Sequence, residues 1–170
     1  MARLASVKKR WAVPYGVPRV LFVCLGNICR SPLGEAILRR QADEAGVELE
    51  VDSAGTGDWH IGDPPDHRAV QVGKSRGCNM ALRARQVRSR DFEDFDLIIA
   101  MDRANETNLR RWPGSQPDKI RLARSFDPSA TGVEVPDPYY GDLTDFEEVA
   151  DMLESACAGI LQHLTKANPR

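Results

Sequence analysis

Val20-Leu21-Phe22-Val23-Cys24-Leu25-Gly26-Asn27-Ile28-Cys29-Arg30-Ser31-Pro32 is the stretch that decides the fold. Its four leading apolar residues read as a buried strand that delivers a cysteine. The chain then turns through small and polar residues, and Pro32 opens a helix with Ser31 at the N-cap position. Five residues separate Cys24 from Arg30, enough for a tight loop around one tetrahedral anion. The backbone N–H groups of such a loop can converge on that anion, and the following helix N-terminus adds positive potential. Gly26 is expected to supply the positive φ of the curl, and Asn27 to tolerate a left-handed conformation and brace the loop with its amide.

The residue types define the chemistry. A helix N-terminus and a neighbouring guanidinium favour the thiolate of a cysteine held between them, which makes Cys24 a candidate nucleophile toward phosphorus. Arg30 can grip two phosphoryl oxygens with its planar fork, and the fork stays aligned as those oxygens become equatorial in the transition state. Leu25, Gly26, Asn27, Ile28 and Cys29 would line the bound anion, and the Ser31 hydroxyl could donate to the Cys24 sulfur. A cysteine closing a buried strand is ordinarily a small core residue, and Cys-x5-Arg alone is a weak pattern. The strand–loop–helix context is what favours the chemical reading.

A second element lies far downstream, in Val135-Pro136-Asp137-Pro138-Tyr139-Tyr140-Gly141. Two prolines leave Asp137 little backbone freedom, so its carboxyl can be held at one place. An acid there would protonate a leaving aryl oxygen, and then act as base toward the water that releases the phosphoryl group. Tyr139 and Tyr140 could form an aromatic wall. Pro-Asp-Pro is also a common surface turn, and only its pairing with the Cys24 loop favours catalysis.

With these residues in view, the chain resembles the low-molecular-weight protein tyrosine phosphatases from about Val20 to Leu164. The resemblance rests on Cys24 to Pro32, Asp52-Ser53-Ala54-Gly55-Thr56, Asp58-Trp59, Ala84-Arg85-Gln86, Met101-Asp102 and Asp137-Pro138-Tyr139-Tyr140-Gly141. It implies a doubly wound, flavodoxin-like α/β fold. The expected sheet is four-stranded and parallel with helices on both faces, and the phosphate loop sits at the C-terminal end of the first strand. It also implies hydrolysis through phosphocysteine without metal or cofactor, with phosphotyrosine-containing proteins as substrates. Cys24 is then the nucleophile, Arg30 the clamp and Asp137 the general acid. Asn27, Ser31 and Ser53 brace the loop, and Trp59 and Tyr139 flank the cleft. From the residues alone, a buried structural Trp59 is an equal alternative, and His60 reads as a solvated loop histidine ahead of one that tunes the rim. One departure is Leu82, where family members often carry a histidine supporting the loop asparagine. The network around Asn27 is therefore expected to be one hydrogen bond short, or completed by water.

Cys29 lies inside the same loop, and a disulfide to Cys24 would be within reach. Cys29 could trap an oxidised Cys24, as in similar phosphatases with such a pair. Three alternatives are weighed against tyrosine phosphatase activity. Similar protein-arginine phosphatases place threonine where Ile28 stands. Arsenate reductases of this fold need a further cysteine pair, and only isolated Cys78 and Cys157 remain. A non-catalytic phosphotyrosine-binding module would not require both nucleophile and acid.

The chain has 170 residues and a net charge of −2. One domain of this size buries about 70% of the surface its unfolded chain exposes. The charge gives no electrostatic case for nucleic acid, and no apolar run is long enough for a membrane. The four cysteines lack metal-site or thioredoxin spacing. A working free thiol suits a reducing cytoplasm, and a monomer is the default. Residues 1–18 read as a basic N-terminal extension without an apolar core of signal-peptide length, preceding a phosphatase domain over 19–166.

Alternating patterns place the motifs. Strands are expected at Val20–Cys24, Leu49–Ser53, Asp96–Met101 and near Lys119–Leu122. Helices are expected over about 32–45, ended by Gly46, over about 66–76, and after an Asp102 cap. A last helix would open with a capping box, Thr144 with Glu147, and bury Phe146, Val149, Leu153, Ala156, Ile160 and Leu164.

Overall fold

The computed structural model describes residues 16–167; residues 1–15 of the expected basic extension lie outside the described residues. Four strands, β1 (Arg19–Cys24), β2 (Glu50–Gly55), β3 (Leu97–Ala100) and β4 (Ile120–Leu122), form one sheet in the order β2-β1-β3-β4. Every neighbouring pair is parallel. The helices are α1 (Arg30–Ala45), α2 (His67–Ser75), α3 (Asp91–Asp94), α4 (Arg103–Arg111) and α5 (Leu143–Lys166). This is the expected doubly wound, flavodoxin-like arrangement.

Central strand β1 explains the unbroken apolar run. Val20, Phe22 and Cys24 face a core shared with α1, α2 and α5, while Leu21 and Val23 face a second core with Phe92, Ile98, Leu109 and Ile120. A strand buried on both faces has no polar side to alternate with. Phe22 and Phe146 are fully buried, each worth about 1.5–3 kcal/mol of apolar burial. From β1 the chain winds to β2 on one side and then returns to β3 on the other. The strand order therefore reverses between β1 and β3, and a crevice opens at their C-terminal ends.

Helix starts differ from the sequence expectations for identifiable reasons. Helix α1 begins at Arg30, and its N-cap residue Cys29 makes no side-chain capping bond. Ser31 is not a cap because its hydroxyl is engaged with Cys24 and Asn27. Helix α5 opens two residues earlier than its expected box. The Asp142 side chain accepts from Thr144 N and Asp145 N, while Asp145 accepts from Asp142 N at 2.7 Å. Glu147 instead binds Arg76 at 2.7 Å. The inward stripe of α5 is as expected, except that Leu164 is only partly buried. The short α3 and the 3-10 turns at Pro117–Lys119 and Ala123–Phe126 carry too few residues to show a period. Because the box is Asp142/Asp145, Asp142→Ala should cost about 1 kcal/mol of stability. Thr144→Ala should stay within about 0.5 kcal/mol. Urea unfolding of both variants reads the difference.

Candidate active site

The loop from Cys24 to Arg30 is held from outside by its carbonyls. Cys24 O accepts from Thr56 N at 2.9 Å, Leu25 O from Gly57 N at 2.8 Å, and Ile28 O from Asp66 N at 2.8 Å. Among the described residues, the backbone N–H groups of residues 25–30 donate to no protein acceptor. With the carbonyls turned outward, these amides are left for the concave side. The positive φ belongs to Asn27 (57°) and not to Gly26. Gly26 sits close under the rim: a Cβ there would lie 3.1 Å from Cδ2 of His60, which would have to yield by a few tenths of an ångström.

Asn27 is tied down at both ends of its amide. Its Nδ2 donates to Ser31 Oγ at 2.8 Å and Ser53 Oγ at 2.9 Å, and its Oδ1 accepts from Arg85 N at 2.9 Å. The Asn27 amide thus makes three of the four hydrogen bonds open to it: the Arg85 backbone N–H takes one site on the oxygen, and the second has no protein donor among the described residues, one bond short as Leu82 implies. Ser53 passes its own proton to Glu35 Oε2 at 2.5 Å. Asn27 is the donor to Ser31, so the Ser31 hydroxyl keeps its proton to give: Cys24 Sγ lies 3.0 Å away, and Ala54 O is a second, longer acceptor at 3.4 Å. Burial lifts the Glu35 carboxyl above its ordinary range, opposed by hydrogen bonds from Ser53 and Arg39. Arg85 joins this frame to β2 and α3 through Asp52 at 3.0 Å and Asp91 at 2.9 Å.

Arg30 is 2% exposed and bracketed by two segments. Its Nη1 donates to Asp102 Oδ2 at 2.6 Å and to Val135 O at 3.1 Å. Asp102 also caps α4, accepting from Asn105 N at 2.8 Å. The Nε and Nη2 edge makes no hydrogen bond within the described protein, which leaves two parallel donors for oxygens. Nη2 lies 3.7 Å from Asp137 Oδ2. Val135 is fully buried, and its N–H binds Met101 O at 2.8 Å. The segment bearing Asp137 is therefore anchored at the end of β3. The Asp137 side chain is 43% exposed, with Oδ1 accepting from Tyr139 N at 3.1 Å.

These residues enclose a cleft of about 240 Å³. Its floor carries Cys24, Gly26, Ile28, Cys29 and Arg30; Leu25, Trp59, His60, Asp137, Tyr139 and Tyr140 form the rim. Trp59 is an exposed rim residue and not a core tryptophan. Tyr139 and Tyr140 stack edge-on, 4.9 Å between centroids. Asn27, Ser31 and Ser53 stand behind the floor as braces. His60 reaches the rim as well, with Nδ1 3.1 Å from Asp63 Oδ2. Burial pushes the Cys29 thiol far above its ordinary value, reinforced by negative charge at Cys24, Asp66 and Asp137. Among the described residues no group of three or more His, Cys, Asp or Glu could hold a metal ion, and no helix is long and apolar enough to cross a membrane.

Sequence reasoning missed Glu35, Asp66 and Arg68 at this site. Glu35 lies on the side of α1 opposite Leu33, Ala36 and Ile37, so the helical pattern reads it as a solvated acid, and only the docking of β2 buries it against Ser53. Nothing local marks Asp66 or Arg68. Gly55 shows how closely β2 backs the loop: a Cβ there would stand 2.7 Å from Leu25 O and 3.1 Å from Asn27 N. Gly55→Ala should therefore cost about 1–3 kcal/mol. It should also shift the amide resonances of residues 25–29, read by thermal unfolding and backbone NMR.

Comparison with known proteins agrees with this geometry. The family described as low molecular weight phosphotyrosine protein phosphatase matches residues 19–170. A low molecular weight protein-tyrosine-phosphatase of Streptomyces coelicolor is 44% identical over 149 residues, covering 84% of this chain and 91% of its own. The crystal structure of YfkJ from Bacillus subtilis superposes with a TM-score of 0.86 at 39% identity, over 91% of this chain and 98% of that one. A structure of YwlE arginine phosphatase shares the fold at lower identity, 25% with a TM-score of 0.80, over 87% and 96% of the two chains. With the family match spanning nearly all of the described residues, this chain belongs to the low molecular weight phosphotyrosine protein phosphatase family.

Proposed function

We propose that this protein hydrolyses phosphotyrosine in proteins, and small aryl phosphates, by two displacements at phosphorus. The observation that carries the proposal is the placement of Cys24 Sγ under a loop of amides without protein acceptors, beside the open edge of Arg30 and within reach of Asp137. The phosphoryl group rests on the amides of residues 25–30, and Arg30 Nε and Nη2 hold two of its oxygens. The Cys24 thiolate attacks phosphorus as the bond to the aryl oxygen breaks. Asp137 delivers a proton to that oxygen, so a neutral phenol departs. Asp137, now a carboxylate, takes a proton from the incoming water. The S–P bond breaks, inorganic phosphate leaves, and the thiolate returns to the hydrogen bond from Ser31. The loop amides and Arg30 face the equatorial oxygens in both transition states, where charge accumulates.

The rim supports an aromatic leaving group. Trp59, Tyr139 and Tyr140 offer flat apolar faces above the floor, and Ile28 adds bulk beside it. A serine phosphate is too short to bring phosphorus to the thiolate past that rim. We further propose that the folded phosphatase domain spans 19–166, acts as a monomer and works in the cytoplasm, where a reduced Cys24 persists. No partner beyond phosphotyrosine proteins, and neither nucleic acid nor membrane, enters this reading.

Cys29 gives the site protection against oxidation. Peroxide converts Cys24 to the sulfenic acid with loss of water. The Cys29 sulfur then attacks the Cys24 sulfur while its proton passes to the departing hydroxyl, forming the disulfide and releasing a second water. Cys29 sits buried in the same floor with its proton held on by burial, so it does not compete for phosphorus.

Cys24→Ser should abolish turnover of a phosphotyrosine peptide while retaining inorganic phosphate binding. Wild type should leave phosphoserine and phosphoarginine peptides essentially uncleaved. Phosphoarginine turnover above phosphotyrosine would replace this reading with an arginine phosphatase. Binding of phosphotyrosine without turnover by the reduced wild type would mean a recognition module. For the redox role, wild type treated with peroxide and then dithiothreitol should regain its activity, and Cys29→Ala should not. Equal recovery of both would remove the protective role.

A further inference from the structure

Arg68 lies outside the cleft floor, yet its guanidinium joins the two halves of the site. Nε and Nη2 form a bidentate pair with Asp66, at 2.9 and 2.8 Å. Nη2 also donates to Tyr139 O at 3.0 Å and Nη1 to Gly141 O at 2.8 Å. The guanidinium carbon stacks 4.4 Å above the Phe146 ring in the first turn of α5. Asp66 in turn donates its backbone N–H to Ile28 O of the phosphate loop at 2.8 Å. Arg68 thus closes a bridge from the loop that holds the phosphoryl group to the turn that carries Asp137.

That turn needs such a bridge. Val135 anchors its entry through Met101 and Arg30. Beyond Asp137, the turn closes on itself through Gly141 N to Pro138 O at 2.9 Å. Its two carbonyls on Arg68 are what tie this exit side to the phosphate loop. The Asp137 carboxyl accepts a hydrogen bond only from its own turn among the described residues, at Tyr139 N; its one contact outside the turn is a loose 3.7 Å ion pair with Arg30 Nη2, and it is half-exposed. Its distance from the scissile oxygen therefore depends on where the turn is held. The hydrogen bonds of Arg68 also keep the Asp66 carboxyl below its ordinary range, so the pair stays ionised.

We propose that Arg68 is a positioning residue for general acid catalysis: its fork, oriented by Asp66, sets the Asp137 turn at proton-transfer distance from the leaving oxygen. The inference rests on Asp137 being the acid. A guanidinium is needed because one ammonium group cannot span a carboxylate and two separate carbonyls. A small displacement of the acid weakens proton transfer while leaving phosphate binding and attack by Cys24 intact.

The test uses kcat/KM, which reports steps up to the first departure of the aryl group, for two leaving groups. Phenolate is basic, like tyrosine, and needs a proton to leave; 4-nitrophenolate leaves without one. Arg68→Met should lower kcat/KM for phenyl phosphate about tenfold more than for 4-nitrophenyl phosphate. Inhibition by inorganic phosphate should stay within about twofold of wild type, since the floor is untouched. Arg68→Lys, which keeps the charge and a stem over Phe146, should show the same selective loss. Asp137→Asn should be selective in the same sense, and adding Arg68→Met to it should produce no further selectivity. Equal loss on both substrates, wild-type behaviour of Arg68→Lys, or selective loss persisting in the Asp137→Asn background would overturn the positioning role. An Asp137→Asn variant without selectivity would instead overturn the acid assignment, and this inference with it.

Discussion

Asn27 stands at φ 57°, the one non-glycine residue with positive φ among those described, and three hydrogen bonds hold its side chain. A left-handed residue turns the chain back on itself, and here the turn lets the loop carbonyls face outward and its amides face a common centre. The conformation is uphill for any residue with a Cβ, so the surroundings must hold it. They do so by holding the amide with three hydrogen bonds, from α1, β2 and the segment after α2. The same bonds fix proton directions. Asn27 donates to Ser31 and Ser53, Ser53 therefore donates to Glu35, and the Ser31 proton is left to the nearer Cys24 sulfur or the more distant Ala54 carbonyl. Loop shape and the polarity presented to the sulfur are thus one network.

Arg30 is constrained in a complementary way. Asp102 and the Val135 carbonyl occupy one of its nitrogens, leaving the opposite edge turned to the cleft. A buried guanidinium is costly unless its donors are matched, and the partners here come from the ends of two further chain segments. That arrangement depends on the doubly wound sheet. Asp102 follows β3, Val135 pairs with the residue after β3, and Cys24 ends the adjacent β1. The crevice at the strand-order reversal is where these three ends meet.

Much of this was legible in the residues. The apolar run before Cys24 reads as a buried strand, and the β–α alternation that follows implies the parallel sheet. Cys24, Arg30 and Asp137 stood out only in combination, through the strand–loop–helix context and the pairing of two distant motifs, since each alone fits an ordinary pattern. What escaped was set by contacts between distant segments. Gly26 reads as the left-handed residue because glycine is permissive, yet the three amide bonds placed that strain on Asn27, and Gly26 sits close under the His60 ring. Leu82 reads as a gap in the network, and no side-chain pattern could reveal that the Arg85 backbone N–H holds the Asn27 oxygen from the other site. The α5 cap shifted because Asp142 satisfies two amides while Arg76, from another helix end, recruited Glu147. Arg68 looked like an ordinary charge on a short helix until the fold brought the Tyr139 and Gly141 carbonyls to it.

The account depends on a covalent phosphoryl group passing through one sulfur. Rapid acid quench during turnover of a phosphotyrosine peptide, followed by peptide mass spectrometry, tests this most directly. The predicted result is one phosphoryl group on the peptide containing Cys24, appearing within the first turnover and absent when substrate is omitted. Sustained hydrolysis with no phosphoryl group on Cys24, or with one on another residue, would contradict it.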